Sequence, residues 1–418
     1  MASVPEMPHQ TTSVDASPVE SGPADSSNGA VETAGEQRSS SRLAPLDGIR
    51  GLAALVVVLH HCLLVVPVLN APDTGRRRGG FAWFVNSPLH IVWAGGEAVV
   101  VFFVLSGIVL TLPFLRARRF DWLAYYPARL LRLYLPVIAS VVIASAIAVA
   151  IRPSASESTS SWLRQHDVPI TVSRMVRTSV LVLGTEWLNS PLWSLRWEVL
   201  FSLLLPVYVL AYLKVLPRPV GIVVAVTLVF VGSAIGKDNI FYLSVFALGV
   251  LMARDLGPIR ARLGARLDGR RGVWWVVGLA AFTLVALTWR WTLLGLGLTE
   301  VSRQWRVMAA LGAVTLILLA ATWGPFARFL SRPVCQWVGR LSFSLYLTHE
   351  PIVVAAGRLL PGDMTGFVPL VAIPVALGVA YVFYRGVERP SHQLARWVGR
   401  HAGRITAGIS GRTPVRKP

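Results

Sequence analysis

From about residue 43 onward, long apolar runs alternate with short polar connections, and about ten of the runs approach the ~20 residues that a ~30 Å hydrocarbon core demands of a helix. They fall at 49–69, 91–115, 133–151, 192–213, 219–235, 239–253, 273–292, 305–324, 338–357 and 366–385, the fifth and sixth being the weakest. Residues 1–42, which precede them, are rich in Ser, Pro, Ala, Gly, Thr and Glu and carry no helical or strand period, a composition that predicts a disordered tail. That tail has no basic segment followed by an early apolar core, so it does not read as a cleaved signal peptide, and the run after Asp47 is expected to act as an uncleaved anchor. The predicted organisation is a tail (1–42), a transmembrane domain (43–390) and a basic cytoplasmic tail (391–418). The predicted fold class is all-α, a polytopic membrane helix bundle.

Composition strengthens this picture. The chain is 54% hydrophobic and only 15% charged, with 15 Trp and a mean hydropathy of +0.58, too apolar for a soluble protein of 418 residues. A net charge of +19 raises the question of nucleic acid, but the lysines are confined to Lys214, Lys237 and Lys417 and the arginines sit between apolar runs. Loop arginines of that kind orient a membrane protein and meet anionic lipid, so no nucleic-acid partner is expected. The stretches 116–132 and 253–272, Arg328 with Arg332, and the tail from Arg389 would share one side, the cytoplasmic one by the positive-inside rule. An even number of spans then leaves both termini in the cytoplasm. Cys62 and Cys335 lie in or beside apolar segments and offer no metal set.

Ionisable residues inside these spans cost ~2.5–3.5 kcal/mol on insertion scales, which makes each a candidate for function. Arg50 and His61 stand eleven residues apart, three helical turns plus about 20°, so they share one face at a separation of about 16 Å. With Arg50 at the interface, His61 lies near the midplane, an arrangement that suits an anionic substrate at one end and a general base at the other. His60 points about 100° away and reads as packing. Glu97 follows a Gly-Gly pair at the start of the second run, as a cap or a site residue, while Ser106 and Gly107 read as close helix packing. Arg116, Arg118, Arg119, Arg129 and Arg132 gather on the cytoplasmic side with Trp122, Tyr125 and Tyr126 among them. Guanidinium forks suit phosphates, and aromatic rings can stack on a base. Glu198, one turn past Ser194, can orient a histidine; His349, beside Glu350 and Pro351, sits about 15 Å from Gly339 by helix rise, a depth like that of His61.

In order along the chain, "PLDGIRGLAALVVVLHH", "GGEAVVVFFVLSGIVLT", "PLWSLRWEVLF", "VGRLSFSLYLTHEPIV" and "YRGVERP" resemble the acyltransferase 3 family, which includes O-antigen, peptidoglycan, exopolysaccharide and macrolide O-acyltransferases. The resemblance covers residues 43 to about 390. The family's Arg-X10-His pair falls on Arg50 and His61, which singles out His61 over His60. Its "FFVLSG" falls on Phe102 to Gly107, its Trp-Ser-Leu-X-X-Glu on Trp193, Ser194, Leu195 and Glu198, its "YLxH" on Tyr346 to His349, and its Glu-X-Pro on Glu388 and Pro390. The chain departs from the pattern at Glu97, where an aspartate is usual, at Ser202, where a tyrosine is common, and at His60.

The resemblance implies an enzyme of the bacterial cytoplasmic membrane that moves an acyl group, acetyl before others, from cytoplasmic acyl-CoA to a hydroxyl of a glycan or glycolipid. A small molecule such as a macrolide is the alternative acceptor. Arg50, Arg129, Arg132, Arg116 and Arg118 would hold the donor's phosphates; His61 would act as general base or transient acyl carrier; Glu198 or Glu97 would orient or polarise it, with His349 alongside. Direct transfer is expected, since no hydrolase-like domain accompanies the spans, and no metal is implied. A proton-coupled transporter would use a similar path, but the sequence has no convincing internal repeat of the kind that marks such carriers.

Overall fold

In the computed structural model, residues 26–69, 82–116, 120–152, 160–267, 269, 271–298 and 305–409 are described, and among them the chain is helical with no strand. The helices are α1 (Ser26–Leu64), α2 (Ala82–Val85), α3 (Gly95–Arg116), α4 (Trp122–Ala150), α5 (Ser161–Arg164), α6 (Val172–Val180), α7 (Leu192–Tyr208), α8 (Arg218–Ala234), α9 (Asp238–Leu267), α10 (Gly272–Leu287), α11 (Trp289–Gly295), α12 (Trp305–Thr322), α13 (Gly324–Leu330), α14 (Pro333–Leu359), α15 (Val368–Phe383) and α16 (Arg389–Ile409). Residues Met1–Leu43 form one unit and Ala44–Pro418 another. Of the tail expected over 1–42, residues 1–25 lie outside the described residues, and α1 begins at Ser26.

Seven of the described helices are long and apolar enough to cross a membrane, or eight if α10 and α11, bent by 78° at their junction, count as one. Two of the ten expected spans fall short for different reasons. Helix α8 has 17 residues, whereas α14, with 27, carries Gln336, Arg340, His349 and Glu350 along its length. Arg340, near the start of α14, is exposed, but His349 and Glu350, midway along it, are turned inward at 0% and 1% exposure, so the low mean hydropathy comes in part from a lined interior.

Small residues set the helix seams. A Cβ built on Gly107 would meet Phe246 O and Gly249 Cα, and one on Gly51 would meet the Gly339 backbone N at 2.6 Å, so α3 is drawn against α9 and α1 against α14 at backbone contact. Ala372, Ala376 and Ala380 form a stripe on α15 that is fully buried with Leu345 and Val353 of α14. Two helix starts carry familiar signals: Asp121 Oδ1 accepts the Ala124 N–H at α4, and Pro333 opens α14 where its missing N–H costs nothing. At the C-terminal end α16 packs against α4, so the segment expected as a basic tail begins as a docked helix.

Candidate functional site

Helices α1 and α14 run in parallel and are bonded at two levels. At the first, Arg50 Nη2 donates to Gly339 O at 3.1 Å and its Nε to Ser342 Oγ at 2.9 Å, with Asp47 Oδ1 3.6 Å from Nη2. At the second, three turns further along both helices, His61 Nδ1 and His349 Nε2 lie 3.1 Å apart. The expected sharing of one face and of one depth is realised, because eleven residues on α1 and ten on α14 span nearly the same rise.

Hydrogen-bond partners assign the tautomers. His349 Nδ1 faces the carbonyl oxygens of Leu345 and Tyr346, both at 3.0 Å, so it carries the proton and Nε2 carries the lone pair. His61 Nδ1, 2.9 Å from Val57 O and facing that lone pair, is therefore an N–H. The basic nitrogen left on His61 is Nε2, which points to Glu350 Oε2 at 3.5 Å. His61 keeps 13% of its side chain exposed while Glu350 keeps 1%. A reactant has access to the histidine and not to the carboxylate.

Glu350 is held from the segment before α7. Pro351 lacks an N–H, which frees the Leu347 carbonyl four residues earlier, and Asn189 Nδ2 takes it at 3.0 Å. The next residue then presents both its backbone N–H and its hydroxyl to Glu350, Ser190 N to Oε1 and Ser190 Oγ to Oε2, each at 2.6 Å. The carbonyl of Pro191 accepts from Tyr346 OH at 2.9 Å, so three consecutive residues read one face of α14. His166 completes the shell: its Nδ1 donates to Trp162 O at 2.9 Å and its Nε2 lies 2.9 Å from Glu350 Oε1. Two lone pairs do not meet at that distance, so a proton is shared between His166 and Glu350.

The arginine-rich end is a cleft of about 130 Å³ lined by Arg50, Arg129, Arg132, Glu198, Glu388 and His392, with Phe102, Ser194 and Tyr346 among its further walls. Arg132 Nε meets His392 Nε2 at 3.0 Å, and Ser344 donates to Glu388. Arg129 is turned to Glu198 at 2.5 Å, with its Nε on Ser202 Oγ. Glu198 was expected to orient a histidine; its carboxylate instead neutralises Arg129, because α7 runs antiparallel to α4 and delivers Glu198 to the arginine end while Ser190 reaches Glu350. Of the five expected phosphate ligands, Arg50 and Arg132 face the cleft with hydrogen-bonding capacity to spare, Arg129 is paired, Arg116 is exposed at the end of α3, and Arg118 lies outside the described residues, as does Arg119.

Glu97 sits elsewhere. It is 6% exposed, beside Arg290 and Trp291, on the wall of a separate apolar cavity of about 340 Å³ between α1, α3, α10 and α12. Among the described residues no bond joins it to His61, so its expected part in orienting the base finds no geometric support. His60 packs its ring onto Gly95 and bonds Trp93 O at 3.0 Å, a packing role as expected. The rings expected to stack on a nucleotide, Trp122, Tyr125 and Tyr126, pack against one another and, through Trp122 and Tyr125, against Phe114 and Phe120, and Tyr126 OH ties α4 to Leu203 O of α7. Among the described residues no group of three His, Cys, Asp or Glu side chains is arranged to hold a metal ion.

Sequence reasoning missed the parts played by Glu350, His166 and Ser190. Glu350 had a signal, an ionisable side chain at the depth of His349, whereas His166 and Ser190 come from the outer connection and reveal themselves only through the chain's return. The model of a family described as an acyltransferase domain matches residues 43–385. O-acetyltransferase OatA of Staphylococcus aureus is 24% identical over 403 residues, covering 85% of this chain and 58% of its own length, so the chain spans little more than half of that relative. Acyltransferase MdmB of Streptomyces mycarofaciens is 24% identical over 393 residues, covering 84% of this chain and 92% of its own. No solved structure matches. The family match runs across most of the length, from residue 43 to residue 385, and the chain belongs to the acyltransferase 3 family.

Proposed function

We propose that this protein transfers an acyl group, acetyl in the first instance, from cytoplasmic acyl-CoA to a hydroxyl of a cell-envelope glycan or glycolipid, through ten spans with both termini in the cytoplasm. The observation that carries the reading is the two-level bonding of α1 to α14, with a phosphate-binding guanidinium at one level and a histidine whose free nitrogen is Nε2 at the other. Arg50, fixed by Ser342 and Gly339, and Arg132 receive the donor's phosphates, and the cleft between them and Tyr346 takes the pantetheine arm. The donor supplies a thioester carbonyl.

His61 Nε2 accepts the acceptor hydroxyl's proton as the oxygen attacks that carbonyl, and the same proton then goes to the departing CoA sulfur, so none is gained or lost. Glu350 stabilises the imidazolium formed in between, and His349 fixes the ring so that Nε2 and not Nδ1 is presented. Positioned general-base catalysis contributes typically 10²–10⁴-fold. Replacement of His61 by Ala is expected to abolish transfer of radiolabel from [14C]acetyl-CoA to acceptors in membranes containing the protein, with insertion intact. Full activity in that variant overturns the assignment, and labelled acetate crossing the bilayer without appearing in product would mark a carrier instead.

A further inference from the structure

Neither His61 nor His349 lines the donor cleft. Among the cleft's walls are two rings, Phe102 of α3 and Tyr346 of α14, with centroids 5.8 Å apart and edge to face. Behind Tyr346 the ring of His349 follows at 5.9 Å, and His61 at 5.0 Å from His349. A thioester carried in the cleft must pass this pair of rings, since reacting atoms need to come within ~3–3.5 Å of one another.

The two rings differ in how they are held. Tyr346 is 7% exposed, donates to Pro191 O at 2.9 Å and lies 2.7 Å from Ser194 Oγ, so it is fixed to the start of α7. Phe102 is only partly buried and has no polar tether, one turn from Ser106 on the cleft wall. Beyond the rings, His349 and Glu350 are fully enclosed and Trp162 packs on His61 at 5.6 Å, which leaves little volume for an acyl tail once the carbonyl is at His61.

Resting on the proposed transfer reaction, we infer that Phe102, set against the fixed Tyr346 ring, determines the length of acyl group this protein transfers and restricts it to short chains. The side chain touches the acyl portion as it passes, so its size sets the aperture. A purely structural role for Phe102 lowers turnover of every donor alike. A filter changes the ratio between donors, because each methylene accommodated or refused is worth ~10–200-fold in selectivity.

The test compares acetyl-, butanoyl- and hexanoyl-CoA, each 14C-labelled in the acyl group, with membranes of a host expressing the wild-type, Phe102→Ala, Phe102→Leu or Phe102→Trp protein, scoring label in acceptor products. The wild type is expected to prefer acetyl-CoA, Phe102→Ala to raise hexanoyl relative to acetyl transfer by about tenfold or more, and Phe102→Leu to do so less. Phe102→Trp should reduce butanoyl transfer more than acetyl transfer. Should Phe102→Ala fail to insert, the Leu and Trp variants decide by moving the ratio in opposite directions. A donor ratio unchanged in every active variant overturns the filter while leaving the transferase reading intact. Absence of transfer from any acyl-CoA by the wild type overturns that reading first, and the filter with it.

Discussion

A carboxylate buried to 1% exposure between two histidines and a serine has to be either a structural anchor or a partner of the base, and the two roles differ in what a neutral isostere does. In Glu350→Gln the amide keeps the hydrogen bonds from Ser190 in part but cannot stabilise an imidazolium on His61. The expected outcome is a fall in kcat of roughly 10²–10⁴-fold with KM for acetyl-CoA little changed, since Arg50 and Arg132 are at the other end of α1 and α4. Glu198→Gln should behave differently. It leaves Arg129, 10% exposed, without its countercharge, and an unmatched buried charged group costs on the order of 1–3 kcal/mol or more. Its main readout is therefore a lower melting temperature in detergent and weaker donor binding, with less effect on the chemical step. If Glu198→Gln abolished turnover at unchanged stability and KM while Glu350→Gln remained active, the roles derived for the two carboxylates would be reversed.

At the scale of helices, the seams depend on glycines at which two backbones touch. A Cβ on Gly249 would lie 2.8 Å from Gly107 Cα, so Gly249→Val forces α3 and α9 apart and is expected to cost about 1–3 kcal/mol by overpacking, seen as an earlier thermal transition. Gly278 of α10 has no atom near its Cβ position, and Gly278→Ala should leave the transition where it is or raise it slightly through helix propensity. The periodic features were readable from the chain: the helices themselves, the Arg50–His61 face, the equal depth of His349 and the packing role of Gly107 all follow from 3.6-residue geometry within one segment. The pairings between segments were not. Nothing local tells that Glu198 meets Arg129, that Glu97 opens on a different cavity, or that Asn189 caps the carbonyl freed by Pro351 and so brings Ser190 to Glu350. These depend on which helix lies beside which: eight residues after Ser190 meets Glu350, α7 has carried Glu198 to the arginine end, where Arg129 of α4 faces it.

For the molecule as a whole, the decisive element is α14. It supplies Gly339 and Ser342 to Arg50 and His349 and Glu350 to His61, yet it is not among the seven helices that qualify as spans by length and apolarity. At 27 residues and 1.5 Å per residue it is about 40 Å long, enough to cross a ~30 Å core with a turn to spare. Its two midway ionisable side chains, His349 and Glu350, are covered by α1, α7 and the outer connection, so insertion as part of the bundle avoids the cost of presenting them to lipid, while Arg340, nearer its start, is exposed. Arg332 immediately before it and Asp363 soon after it are both exposed, and Cys62 and Cys335 are buried free thiols whose replacement by Ala leaves a cysteine-free chain. In that background, Asp363→Cys is expected to react with a membrane-impermeant maleimide in intact cells, and Arg332→Cys only after permeabilisation. Labelling of both from the same side would mean that α14 does not cross. The arginine cleft and the His61–Glu350 cluster would then not lie at different depths of one transmembrane path, and a donor entering from the cytoplasm could not be matched to an acceptor on the far side through this helix pair.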